Sequence, residues 1–225
     1  MNGATYRKIE EHMLACMGDA AHDKEHVYRV LYNALEIAAS ERDVDYDVLI
    51  SACLLHDIGR KEQLRDPSLC HAQVGGDMAH EFLLGMGLDA ESAAHVKECI
   101  ASHRFRKNSP PKSLEAKILF DADKLDVTGA IGIARTLVYN GVLNRPLYTL
   151  ENGMPSDGDG DARPSFFQEY CFKLKNIYDG FLTKRGKEIA EERRASAQNF
   201  YAGLLGEVRQ SHAYGKDALR ELIKE

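Results

Sequence analysis

Apolar residues recur at helical spacing along almost the whole of this 225-residue chain, and no segment sustains the alternation of a half-buried strand. Such a pattern can bury its apolar faces only by packing helix against helix, so it predicts an all-α fold. Val27, Val30, Leu31, Ala34 and Ile37 form one stripe, ending near the polar run ERDVDYD. A second helix is expected from about Tyr46, carrying Leu49, Ile50, Cys53 and Leu54 inward as far as His56, with Gly59 closing it as a glycine just past a helix end. A third is expected over about Ala72 to Leu84, followed by a turn at Gly85 and Gly87. Asp89 has the place of an N-cap for the next, whose inner face is Val96, Ile100 and His103.

Pro110 and Pro111 break the chain, and Ser113 opens a helix through Ala116 to Ala122. Gly129 and Gly132 stand where close packing or a bend is tolerated. The stretch ENGMPSDGDGDARPS holds too much Gly, Pro and Asp for regular structure and is expected to be a mobile surface loop. Its aspartates do not make a calcium loop, because Gln168 stands where the twelfth-position glutamate belongs. Two long helices should complete the chain, one through Phe166, Tyr170, Leu174 and Ile177 and one through Leu182, Ile189, Phe200, Leu204 and Val208. The length suits a single domain over 1–225, with a core at about 20–140 and the helices of about 163–225 packed on it.

Composition narrows the function classes. The N-terminus mixes charge with apolar residues and lacks a signal peptide's continuous apolar run, and no stretch resembles a membrane span, so a cytoplasmic location is expected. Cys16, Cys53, Cys70, Cys99 and Cys171 are odd in number and never in a C-x-x-C pair, against a disulfide framework or zinc knuckle. A net charge of -6 draws in neither nucleic acid nor acidic lipid, and an anionic substrate would need locally placed cations.

Chemistry concentrates in CLLHDIGR, residues 53–60. An imidazole beside a carboxylate at the floor of an apolar run costs free energy unless something pairs them, and a divalent ion would serve. His26 opens the Val27/Val30 helix and Asp123 lies in LFDADKLD, so metal-type ligands occur where the apolar pattern turns inward or stops. Imidazole and carboxylate together suit Mn, Mg, Fe, Co, Ni or Zn. Asp126 shares a helix face with Leu119 and Asp123, as an outer-shell partner, an orienting group or a proton acceptor. His71 and His103 project from inward faces and could bind a second ion, contact a phosphoryl oxygen or protonate a leaving group. Of these, phosphate contact is the favoured reading. Arg29, Arg60, Lys124 and Arg135 are candidate substrate cations, with Arg104, Arg106 and Lys107 beyond them, and Asp23 is placed to orient His26. His12, His22, His80, His95 and His212 are expected at the surface.

Taken together, HVYRV with His26, LLHDIGR with His56 and Asp57, and DADKLD with Asp123 resemble the H…HD…D signature of the HD-domain superfamily of metal-dependent phosphohydrolases. HAQVGGDMAHEFL, CIASHRF and IGIAR extend the resemblance over roughly residues 20–210, and it is closest to a small bacterial subgroup similar to nucleotide phosphohydrolases. The resemblance implies an all-helical fold in which His26, His56, Asp57 and Asp123 hold one divalent ion, manganese foremost. Asp57, Asp126, His71 and His103 would then do the catalytic work on a small phosphorylated or nucleotide substrate. It also leaves room for a homodimer and for a non-catalytic, metal-containing nucleotide sensor. Two departures stand out: Arg60 replaces the glutamate of the H-D-x-x-E pattern, and no G-Y-P motif follows.

Overall fold

A computed structural model describes residues 1–17, 24–104 and 110–223. Within them the chain is all-α apart from one two-stranded hairpin. His22, Asp23, Arg106 and Lys107 lie outside the described residues. The chain divides into two compact units, one of residues 1–126 with 181–187 and one of 127–180 with 188–225.

The first unit begins with α1 (Gly3–Cys16) and α2 (Lys24–Ala38), whose stripe Val27, Val30, Leu31, Ala34 and Ile37 is fully buried. Next comes α3 (Tyr46–Leu55), capped by the Asp45 carboxylate and buried on nearly every side, with Val48, Leu49 and all of Ser51 to Leu55 inside. A helix apolar all round is one that others enclose. Accordingly α1, α2, α6 (Ala90–Ser102) and α7 (Leu114–Leu125) all pack on α3, while α5 (His71–Gly85) lies along α6 and α2 along α7. The cap expected at Asp89 forms, and Ser113, expected to open its helix, caps it as well, each side chain accepting a hydrogen bond from a backbone N–H of the first turn.

Gly59 behaves differently from the expected helix-closing glycine. Its φ of -82° lies in ordinary territory, and α3 has already ended at Leu55. What requires glycine is proximity: a β-carbon here would lie 2.4 Å from the His71 carbonyl oxygen and 2.6 Å from the Gly75 nitrogen. The turn after α3 therefore touches the backbone of α5 directly, and the short α4 (Arg60–Arg65) follows at once.

In the second unit, α8 (Gly129–Val142) starts at a glycine with φ of +59°, a conformation that a β-carbon would strain. The Gly/Pro/Asp-rich stretch is more ordered than expected. It begins inside a hairpin of β1 (Leu150–Glu151) and β2 (Met154–Pro155), and Asp161 accepts hydrogen bonds from Thr149 and Ser156. The long helix expected through Ile177 is also broken: α9 (Phe166–Phe172) gives way to a 3₁₀ segment, Leu174–Gly180. Phe166, Phe167, Tyr170, Leu174, Ile133 and Ala197 form this unit's core. The last helix, α10 (Lys184–Ile223), starts in the first unit and continues into the second.

Candidate metal centre

In the first unit, the ligand-type side chains all come from helix ends. His26 lies in the first turn of α2, His56 and Asp57 follow the last residue of α3, His71 is the first residue of α5, and His103 caps the end of α6. Asp123 sits in the last turn of α7, and Asp126 is its C-cap. Helix ends can turn adjacent side chains toward one point, which is how the His56-Asp57 doublet is accommodated: Ile58 N–H bonds back to Leu55 and Arg60 N–H to Asp57.

The Asp57 carboxylate is the middle of the cluster. Its Oδ2 lies 3.6 Å from both His26 Nε2 and His56 Nε2, and its Oδ1 lies 3.5 Å from His71 Nε2 and 3.8 Å from His103 Nε2. Asp123 Oδ1 stands 3.3 Å from His26 Nε2 and 4.0 Å from His56 Nε2. His26, His56 and Asp123 thus form one group of convergent donors, and Asp57, His71 and His103 form a second. Every one of these residues is buried except Asp123, whose side chain is 26% exposed and marks the approach from solvent.

The proton positions follow from the other ring nitrogens. His26 Nδ1 faces the Asp126 carboxylate at 2.7 Å, His56 Nδ1 the Cys53 carbonyl at 2.7 Å, His71 Nδ1 the Gln63 side-chain oxygen at 2.6 Å, and His103 Nδ1 the Ile100 carbonyl at 2.6 Å. Each partner is an acceptor, so each Nδ1 carries the hydrogen and each Nε2 presents a lone pair. The Nε2 atoms of His26 and His56 face one another at 3.4 Å, and those of His71 and His103 are buried with no hydrogen-bond partner. Arg60 donates into this gathering of lone pairs and carboxylates, which otherwise repel one another, and a divalent cation would resolve the arrangement. The donor set of imidazole nitrogen and carboxylate oxygen, with tautomers fixed by hydrogen bonds behind the ligands, fits a divalent metal.

The titration behaviour has the same origin. Burial opposes ionisation of Asp57, but the adjacent His56 imidazole and Arg60 guanidinium outweigh it and hold the carboxyl well below its ordinary value. Asp123 is lowered likewise, burial being overcome by the adjacent imidazoles of His26, His56 and His103. His71 is pushed down to about 2, by burial first and the Arg60 guanidinium second, and His103 to about 4 by burial and His56. Both rings are therefore neutral acceptors at pH 7.

The candidate cations have specific placements. Arg29 grips Asp126 through Nε at 2.7 Å and Nη2 at 3.1 Å, so the His26–Asp126–Arg29 chain supports one ligand from behind. Arg60 Nε donates to Asp57 Oδ1 at 2.9 Å. Lys124 Nζ lies over the rings of Phe120 and Phe181, 5.3 and 5.1 Å from their centroids. Arg104 Nη1 approaches His71 Nδ1 at 3.5 Å. Arg135 belongs to α8 in the second unit. Among the histidines expected at the surface, His12 is half-buried and stacks on Phe82, with ring centroids 3.8 Å apart.

Two buried carboxylates, Glu115 and Asp121, carry no signal in the sequence pattern. Asp121 is fully enclosed and accepts hydrogen bonds from Leu182 N–H, Thr183 N–H and the Thr183 hydroxyl, tying residues 181–187 to α7 two positions before Asp123. In DADKLD it is one acid among three, and only the partner 62 positions away distinguishes it.

Comparison with known proteins agrees with this centre. The HD domain family model matches residues 24–128, a span holding His26, His56, Asp57, His71, His103, Asp123 and Asp126. Uncharacterized protein YpgQ of Bacillus subtilis is 30% identical over 178 residues, covering 77% of this chain and 78% of YpgQ. The chain belongs to the HD-domain superfamily. A crystal structure of B. subtilis YpgQ in complex with ADP aligns with a TM-score of 0.70 at 26% identity, over 90% of this chain and 97% of that one. A protein from an uncultured Thermotogales bacterium, described as a predicted HD superfamily hydrolase, aligns with a TM-score of 0.63 at 30% identity, over 92% and 99%. Structural relatives of this HD protein are thus described as hydrolases, and among the described residues no helix is long and apolar enough to cross a membrane.

Proposed function

We propose that this HD protein is a cytoplasmic, divalent-metal-dependent phosphohydrolase acting on a phosphoester or phosphoanhydride of a small nucleotide-like substrate. The observation that carries the reading is the convergence of four Nδ1-pinned imidazoles, lone pairs inward, on the two oxygens of Asp57. His26, His56, Asp57 and Asp123 would hold one ion, manganese being the first candidate. When bound, that ion supplies a water of lowered pKa and neutralises charge on phosphoryl oxygens.

The chain's own groups do the rest. Asp126 keeps His26 in the tautomer whose Nε2 faces inward, and Arg29 holds Asp126 in place. The sequence points to phosphate contact by His71 and His103, but a bare Nε2 accepts hydrogen bonds and gives none to a phosphoryl oxygen. In this reading they instead accept hydrogen bonds from a water and orient it. Lys124, beside Asp123 on the half-open side, is the cation best placed to draw in an anion. ADP bound to YpgQ supports a nucleotide-like substrate here, and five free cysteines suit a reducing compartment.

The test is incubation of metal-stripped protein with each divalent ion and a panel of phosphate compounds, with products identified by mass. His56→Ala and Asp57→Ala should lose both the ion and at least roughly a thousandfold in turnover. Full turnover by metal-free Asp57→Ala protein overturns the mechanism. Nucleotide binding with no product from any compound would point to a sensor instead.

A further inference from the structure

Arg60 donates from Nε to Asp57 Oδ1, the same oxygen that His71 Nε2 and His103 Nε2 face. Those three acceptors could otherwise receive a second ion, since they lie within 4.8 Å of one another and both imidazole nitrogens are buried without a partner. Two cations therefore have a claim on one carboxylate oxygen. The guanidinium is already installed, carried by the first residue of α4 directly after the turn that Gly59 presses against α5.

We infer that Arg60 stands in for a second metal ion: its fixed charge fills the cation position on the Oδ1 side of Asp57 and limits the centre to one ion. The inference rests on the metal-dependent reading above and specifies its stoichiometry. Charge counting favours it. Asp126 is already answered by Arg29, which leaves Asp57 and Asp123 as the two net negative charges of the cluster. One divalent ion balances them, and Arg60, with Arg104 3.5 Å from His71 Nδ1, then leaves the centre net positive, suited to an anionic substrate. A second divalent ion would meet the guanidinium across a single oxygen, inside a buried region where like charges are poorly screened. Arg60 is also built to serve both sides. Only Nε is used on Asp57, and its terminal nitrogens make no protein hydrogen bond among the described residues, so they remain for phosphoryl oxygens.

The test is the number of Mn²⁺ ions bound per chain, measured by elemental analysis after equilibration and by electron paramagnetic resonance, which detects two coupled ions. Wild-type protein and Arg60→Lys, which keeps the charge, should each bind one. Arg60→Gln should bind two and show the coupled signal, its affinity for the second ion exceeding any second-ion binding by the wild type on the order of 100-fold. Adding His71→Ala to Arg60→Gln should return the count to one, and Arg60→Met serves if the Gln variant does not fold. Two ions in the wild type, or one in Arg60→Gln and Arg60→Met, overturns the role of Arg60 while leaving the metal-dependent reading intact. No ion in any of these proteins overturns both.

Discussion

The two compact units bury different chemistry. The first encloses four imidazoles and the carboxylates of Asp57, Asp121 and Asp126, each held by a partner or aimed at another ionisable group. The second has a core of Phe166, Phe167, Tyr170, Leu174, Ile133 and Ala197, with Tyr170 stacked on Tyr201 at 4.0 Å between ring centroids. Apolar and aromatic burial stabilises without dependence on pH near neutrality, whereas a buried imidazole kept neutral ties stability to proton concentration. One unit is thus a device that holds reactive groups out of water, and the other derives its order from ring packing.

The largest expected effect falls on the second unit. Phe166→Ala removes a fully buried ring and should cost about 3–5 kcal/mol of stability in urea unfolding. Ion stoichiometry should stay unchanged, because every candidate ligand belongs to the first unit. Loss of the bound ion in that variant would break the comparison.

The next effect separates the units by pH. His103 has a folded pKa of about 4 against an ordinary 6.5, so the unfolded chain takes up its proton first as pH falls. Its contribution is fully present above about 6.5 and is lost between there and about 4, on the order of 2 kcal/mol from pH 7 to pH 5. His71 acts with the same sign and over a window reaching lower. Hydrogen exchange on ion-free protein should show protection falling over this range for amides of α3, α5 and α6. Amides of α9 should be spared, since Tyr170 and Cys171 are raised by burial and titrate only in the alkaline range. Equal loss in both units would sink the distinction.

The smallest effect probes the support behind one ligand. Asp126→Asn keeps the shape but removes the charge that faces His26 and Arg29, and should weaken Mn²⁺ binding roughly tenfold. Equilibrium titration checks it, and unchanged affinity would relegate Asp126 to packing.

Much of the helical framework was legible because it depends on local period and local capping. The Val27-to-Ile37 stripe, Asp89 and Ser113 needed no distant information. The break after Phe172 was hidden, because Phe166, Tyr170, Leu174 and Ile177 keep helical spacing while the backbone tightens to 3₁₀. The hairpin at Leu150–Pro155 was hidden too, its strands being too short to alternate. At the candidate centre, residue type and inward direction pointed to His26, His56, Asp57 and Asp123, which the fold brings together. The division of the four histidines between the two oxygens of Asp57 was beyond reach, as was the His26–Asp126 pair, 100 positions apart. Long-range contacts leave no periodic trace.

The bare contact between Gly59 and the start of α5 makes the centre hostage to a single hydrogen atom. A methyl group there would drive a wedge into main-chain atoms, which have no rotamer to retreat into, and would lever His71 away from Asp57. No exchange of a neighbouring side chain could restore the fit, so this position is closed to drift even though it contributes no functional group of its own.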